Sequence, residues 1–224
     1  MLDVWRTLST LGDSRWLLPM ALVLLFTLPR ADARLKWRWM LAIVAVAGVT
    51  LSSKLAFMGW GIGIESLQFT GFSGHAAMSS VVYPVVGVLL AGAGRRARAI
   101  GLLAGTLLAV AIALSRIPLH AHSLSEVIAG LMLGLGCGTW ALYGARATRR
   151  AAPVAIAAAV LAGMALPLAL PDMRTHDAVI ALAKFISGRA EIHAHPRELP
   201  TQLHISFTFD PCSKALLHVL PTRQ

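Results

Sequence analysis

Charge is what this chain most lacks. Aspartate, glutamate, lysine and arginine make up 13% of its 224 residues, while 57% are hydrophobic. A soluble domain of this length needs more charge on its surface, so the composition places the chain among integral membrane proteins. Acids are the scarcer sign, ten against twenty lysines and arginines, for a formal charge of +10. The distribution of that excess argues against a nucleic-acid binder: the bases fall in short clusters between apolar runs, and no nucleic-acid motif accompanies them. Cysteine is nearly absent. Cys137 lies inside an apolar run and Cys212 near the end, so no disulfide is expected. No cysteine cluster or H-E-x-x-H spacing is present to hold zinc, and "GWGIG" at 59–63 lacks the Lys-Ser/Thr of a nucleotide-binding phosphate loop. Residues 1–15 carry as many acids as bases, and no small-residue cleavage site follows, so no cleavable signal peptide is expected.

Apolar runs are abundant instead, at 16–29, 39–60, 76–94, 99–114, 127–144 and 151–170. They are continuous, without the alternation of barrel strands, and predict an all-α polytopic membrane bundle of about six transmembrane helices. The first run is short for a span and needs Leu11 and Gly12, or neighbouring protein, to reach across; the fourth needs Ser115 and Ile117. The loops after the first, third and fifth runs are basic, with Arg30, Arg34, Lys36 and Arg38, then Arg95, Arg96 and Arg98, then Arg146, Arg149 and Arg150. The positive-inside rule places these in the cytoplasm. Loops 61–75 and 115–126 then face the other side with both termini, the periplasm if the membrane is a bacterial inner membrane. Residues 1–171 form the expected transmembrane domain, and 172–224 a non-cytoplasmic tail. In that tail 172–187 suits an amphipathic surface helix, and "QLHISFTF" hints at a strand.

This topology brings two histidine-bearing stretches to one face, "FTGFSGHA" at 69–76 and "SRIPLHAHSLSE" at 115–126. His122 and Glu126 stand four residues apart, one helical turn, so the carboxylate can orient the ring and leave a nucleophilic lone pair on its other nitrogen. Arg116 offers a planar fork of donors for phosphate oxygens. Ser73 and Gly74 open a helix, where backbone N–H groups form an anion site. His75 follows, placed to protonate a leaving oxygen, and Lys54 adds a point charge. His120 fits no spacing with Arg116 or Glu126 and reads as a bystander.

These residues resemble the type-2 phosphatidic acid phosphatase superfamily, which also holds the vanadium haloperoxidases. Its pattern runs K-x6-R-P, then P-S-G-H, then S-R-x5-H-x3-D. Ser115-Arg116, His122 and Glu126 reproduce the third part with glutamate for aspartate; Phe72-Ser73-Gly74-His75 reproduce the second with phenylalanine for proline. Lys54 stands for the opening lysine, but Gly61-Ile62 occupy the R-P positions, and Gln68 is a partial substitute for that arginine. The resemblance covers about residues 54–126. It implies a membrane phosphatase acting on a lipid phosphate or diphosphate at the outer leaflet, without metal or cofactor. His122 would form a phosphohistidine, Glu126 would steady the imidazolium, and His75 would act as acid and then base. Arg116, the Ser73 and Gly74 amides and Lys54 would hold the phosphate. Two alternatives keep different parts of this reading: a phosphotransferase using a polyprenyl diphosphate donor, and a non-catalytic membrane protein with a decayed site.

Overall fold

The computed structural model describes residues 2–29, 32–92, 94–145, 152–169, 175–189 and 192–193. Among these the chain is helical, and an isolated bridge between Ile64 and Phe69 is the one β pairing. The stretch "QLHISFTF" lies outside the described residues. The helices are α1 (Leu2–Thr10), α2 (Ser14–Thr27), α3 (Ala33–Trp60), α4 (Gly74–Ala91), α5 (Arg95–Ser115), α6 (Leu124–Leu142), α7 (Pro153–Ala169) and α8 (Thr175–Ser187).

Leu11 and Gly12 do not lengthen the first span. Asp13 caps α2, its carboxylate accepting from the Arg15 amide at 2.9 Å, and this cap separates α1 from α2. With 14 residues, α2 is about 21 Å long, short of a hydrocarbon core of about 30 Å. Among the described residues four helices, α3 to α6, are long and apolar enough to cross a membrane. α7, with 17 residues, is apolar but shorter. Length and composition thus qualify four of the six expected spans.

Glycine sets how these helices meet. Hydrocarbon tails solvate a leucine as well as another leucine does, so helices in lipid associate through close backbone contact. On α6, Gly130, Gly134 and Gly138 recur every four residues and face α4. A Cβ at Gly134 would lie 2.2 Å from the Ala77 carbonyl oxygen, and one at Gly130 2.8 Å from that of Ser73. Both numberings rise together along this seam, so α4 and α6 run parallel, with α6 beginning about a turn and a half before α4. On the other side of α4, a Cβ at Gly101 of α5 would meet the Gly87 carbonyl oxygen at 2.2 Å, and one at Gly105 that of Tyr83 at 2.2 Å. There the numberings run oppositely, so α4 and α5 are antiparallel. α3 joins through Trp39, fully buried, whose indole N–H donates to the Val81 carbonyl at 3.0 Å.

This arrangement puts the end of α3, the start of α4, the end of α5 and the start of α6 together. Basic residues gather at the opposite end, where Arg38 donates to the Tyr143 carbonyl at 2.6 Å and Arg98 to that of Ala145 at 2.7 Å. The amphipathic segment after Pro171 does form a helix, α8, which sets Val179 and Ala183 against Met58 of α3.

The glycine seam yields a paired test. Gly134→Ala forces its methyl onto the Ala77 carbonyl and should destabilise the bundle by about 1–3 kcal/mol. Gly136→Ala, on the same helix with nothing within 4 Å of the new methyl, should leave it unchanged. Thermal unfolding in detergent, followed by circular dichroism, checks both; equal melting of the two variants contradicts the seam.

Candidate active site

The site grows from a helix start. Ser123 caps α6 in a capping box: its hydroxyl accepts from the Glu126 amide at 3.3 Å, and the Glu126 side chain accepts from the Ser123 amide at 3.1 Å. Glu126 is completely buried. Its Oε1 accepts from the Thr70 amide at 2.8 Å and from the Thr70 hydroxyl. Its Oε2 accepts from the Ser123 amide and lies 2.8 Å from Nδ1 of His122. A carboxylate surrounded by donors in this way is an acceptor at both oxygens, hence ionised. His122 Nδ1 then carries the ring proton and Nε2 the lone pair. The expected pair is therefore made, with His122 in the loop ahead of α6 and its side chain 14% exposed.

The loop 116–123 is a compact turn. Arg116 caps α5, and its carbonyl accepts from the Ala121 amide at 3.1 Å. His120 takes a left-handed conformation, φ 53, and is exposed. Its part is the turn that returns the chain toward His122.

Across the site, Ser73 caps α4 without a side-chain cap bond. One expectation changes here. The Ser73 amide is not open to a ligand, because it donates to the Glu126 carbonyl at 3.2 Å. The Ser73 hydroxyl, fully buried, has no hydrogen-bond partner among the described residues, and the same holds for Nε of Arg116. Helix geometry leaves the amides of Gly74, His75 and Ala76 without an intrahelical acceptor. A Cβ at Gly74 would enter open space, with nothing within 4 Å. His75, in the first turn of α4, is within electrostatic reach of Arg116, His122, Lys54 and Asp13. Lys54 on α3 acts on His122 as well.

The departures from the family pattern have local substitutes or none. Phe72 is fixed without proline: its amide donates to the Ser53 hydroxyl at 3.2 Å, and its ring packs edge-on against Phe69 at 5.4 Å. Gly61 ends α3 in a left-handed conformation, φ 71, and the His193 ring lies 3.2 Å from where its Cβ would be. Gln68 is exposed at a left-handed turn, φ 48.

Burial pushes the His122 pKa below its ordinary 6.5; the hydrogen bond to Glu126 opposes this, and the charges of Lys54 and Arg116 reinforce it. Burial likewise lowers that of Arg116, with Asp13 opposing, although a guanidinium stays charged. The arrangement thus offers a neutral, oriented imidazole, a second histidine and two cations around an opening at a helix N-terminus, which suits attack on an anionic centre. Sequence reasoning missed Thr70, Ser123, Ser9 and Asp13. The S-x-x-E spacing of Ser123 and Glu126 was a legible capping signal; nothing local marked the others.

The tautomer is testable. With the Ser123 amide and His122 both directed at Oε2, the ring must donate from Nδ1. ¹⁵N NMR of histidine-labelled protein at neutral pH should show His122 in the Nδ1–H form; an Nε2–H form contradicts the assignment.

Known proteins resemble this chain over part of its length. A curated protein of Klebsiella pneumoniae, described as an uncharacterized 22.5 kDa protein in cps region, is 44% identical over 135 residues. The match covers 58% of this chain and 64% of that relative, so the chain spans less than two thirds of its length. No solved structure matches. The model of the PAP2 superfamily matches residues 59–150. That segment holds Ser73, Gly74, His75, Arg116, His122 and Glu126, and over it the chain is similar to the PAP2 superfamily.

Proposed function

We propose that the protein is a metal-independent phosphatase of lipid phosphates or diphosphates, working at the outer leaflet through a phosphohistidine. The match of residues 59–150 to the PAP2 superfamily supports phosphatase-type chemistry at the coarse level. The observation that carries the finer reading is the His122–Glu126 pair, a nucleophile whose proton is fixed on the nitrogen facing a buried carboxylate.

The steps follow from the groups present. Nε2 of His122 attacks phosphorus while the bond to the leaving oxygen breaks and His75 delivers its proton to that oxygen. Glu126 stabilises the positive charge that develops on the ring. Arg116, the Ser73 hydroxyl, the Gly74 amide and Lys54 face the negative charge on the other phosphate oxygens, the part that a metal ion plays elsewhere. Water then attacks the phosphohistidine, gives a proton to His75, and inorganic phosphate leaves as Nε2 recovers its lone pair.

Placement of the site supports a membrane-bound substrate. All of these residues lie at the ends of apolar helices, so a phosphate headgroup can reach them while the hydrocarbon chains stay in lipid. The basic residues Arg38 and Arg98 lie at the other end, which favours a cytoplasmic location for that end and a periplasmic one for the site.

Phosphate release from a panel of lipid phosphates and diphosphates, with EDTA present, tests the reading. Wild type should release phosphate, and His122→Ala should lose on the order of 10⁴-fold or more in kcat. Release abolished by EDTA, or retained in the variant, would overturn the mechanism. The pH profile is a separate check. His122 must be neutral to attack, and its pKa lies below 6.5. Activity should therefore hold as pH falls to 6.5, with the acid limb of kcat/KM below that value once the substrate's own ionisation is taken out. A limb assigned to His122 above 6.5 contradicts it.

A further inference from the structure

Residues 2–13 lie outside the segment that matches the superfamily, yet they pack onto it. Near the end of α1, Ser9 is buried, 6% exposed, and its hydroxyl accepts a hydrogen bond from Nη1 of Arg116, 107 positions away. The Leu11 carbonyl accepts from the Tyr83 hydroxyl at 2.7 Å. Gly12 approaches so closely that a Cβ would lie 2.5 Å from Cγ2 of Ile112 and 3.2 Å from Cδ2 of His75. Asp13, whose carboxylate is held by Nε and Nη2 of Arg15 at 3.0 and 2.8 Å, acts electrostatically on both Arg116 and His75. Ser9 is therefore anchored against α4 and α5 by contacts independent of its own bond to Arg116.

The atoms of that bond decide what it leaves available. In a guanidinium, Nη1 lies on the Cδ side, and the Nε–Nη2 edge presents two parallel N–H donors, the bidentate match for two oxygens of one phosphate. Ser9 takes Nη1 and leaves that edge whole. Its Nε is buried and has no partner among the described residues. An unsatisfied N–H of this kind is costly unless a ligand completes it. The Ser73 hydroxyl, at the cap of α4, is in the same condition.

We propose that Ser9 is a positioning residue of the phosphate site, setting the rotation of the Arg116 guanidinium so that its Nε–Nη2 edge and the Ser73 hydroxyl receive the substrate's phosphate oxygens. The proposal rests on the phosphatase reading of this site and adds to it a residue from the N-terminal helix. Arg116 reaches its working orientation before substrate arrives, so the substrate does not have to order it.

Orthovanadate, which mimics the five-coordinate phosphoryl group, serves as the probe. Its dissociation constant is measured on the full-length protein in detergent by calorimetry, for wild type, Ser9→Ala and Ser9→Thr, and for the same three in an Arg116→Lys background. Ser9→Ala should weaken vanadate about tenfold, the worth of a hydrogen bond to a charged group, and Ser9→Thr, which keeps the hydroxyl, should restore most of it. In the Arg116→Lys background the Ser9→Ala loss should vanish, because a lysine has no fork to orient. An unchanged affinity in Ser9→Ala, or the same loss in both backgrounds, overturns the proposal; so does a lower unfolding midpoint with affinity intact. Vanadate binding that depends on Ser9 and Arg116 in a protein releasing no phosphate from any lipid would uphold the positioning role and overturn the phosphatase. Failure of wild type to bind vanadate would overturn both.

Discussion

The buried carboxylate of Glu126 is the group on which the site depends. Removing a charge from water is tolerated only where polar partners replace its hydration. Here two donors from Thr70, one from Ser123 and one from His122 do so. These partners come from the loop before α4 and the loop before α6, so satisfying one charge ties together segments 56 positions apart. The main chain of the same residue continues the link, its carbonyl taking the Ser73 amide. His122 is oriented, the loop is closed, and the start of α4 is held against α6, all through one side chain and its own peptide.

That junction requires the start of α4 to meet the first turns of α6 in one register, and the glycine seam holds them there. Small residues at 130, 134 and 138 let α6 lie against the α4 backbone in one register. A slip of one turn would move α6 by about 5.4 Å and carry Glu126 out of reach of Thr70. Packing in the membrane interior and chemistry at its edge are in this way one constraint. The seam also explains why the site can stand at the end of helices that expose so much apolar surface: precision comes from backbone contact along α4 and does not require a thick hydrophobic core.

Much of the candidate site was legible beforehand because its signals are local. His122 and Glu126 are one helical turn apart, and a turn brings i and i+4 together wherever the helix lies. The end-of-helix position of Ser73-Gly74-His75 followed from an apolar run beginning there. Other features were harder to read. The Ser73 amide looked open to a ligand because the first amides of a helix lack intrahelical partners; only the neighbouring Glu126 carbonyl shows that it is taken. Leu11 and Gly12 looked like an extension of a short span, and the Asp13 cap turned them into a corner packed against His75.

By itself the sequence determined the membrane class, through the scarcity of charge, and the side of the bundle on which the chemistry gathers, through basic clusters in alternate loops. It also pointed to the residue types of the candidate site, since the spacings of Ser73-Gly74-His75 and of Arg116, His122 and Glu126 are local. Only the tertiary structure decided which distant groups complete them: Thr70 on Glu126, Ser9 on Arg116, His193 in the space beside Gly61. Such contacts join residues 56, 107 and more than 100 positions apart. Helical periodicity reports which face a residue occupies, but which neighbour meets that face is set by backbone approach and register, and these exist only once the helices have packed.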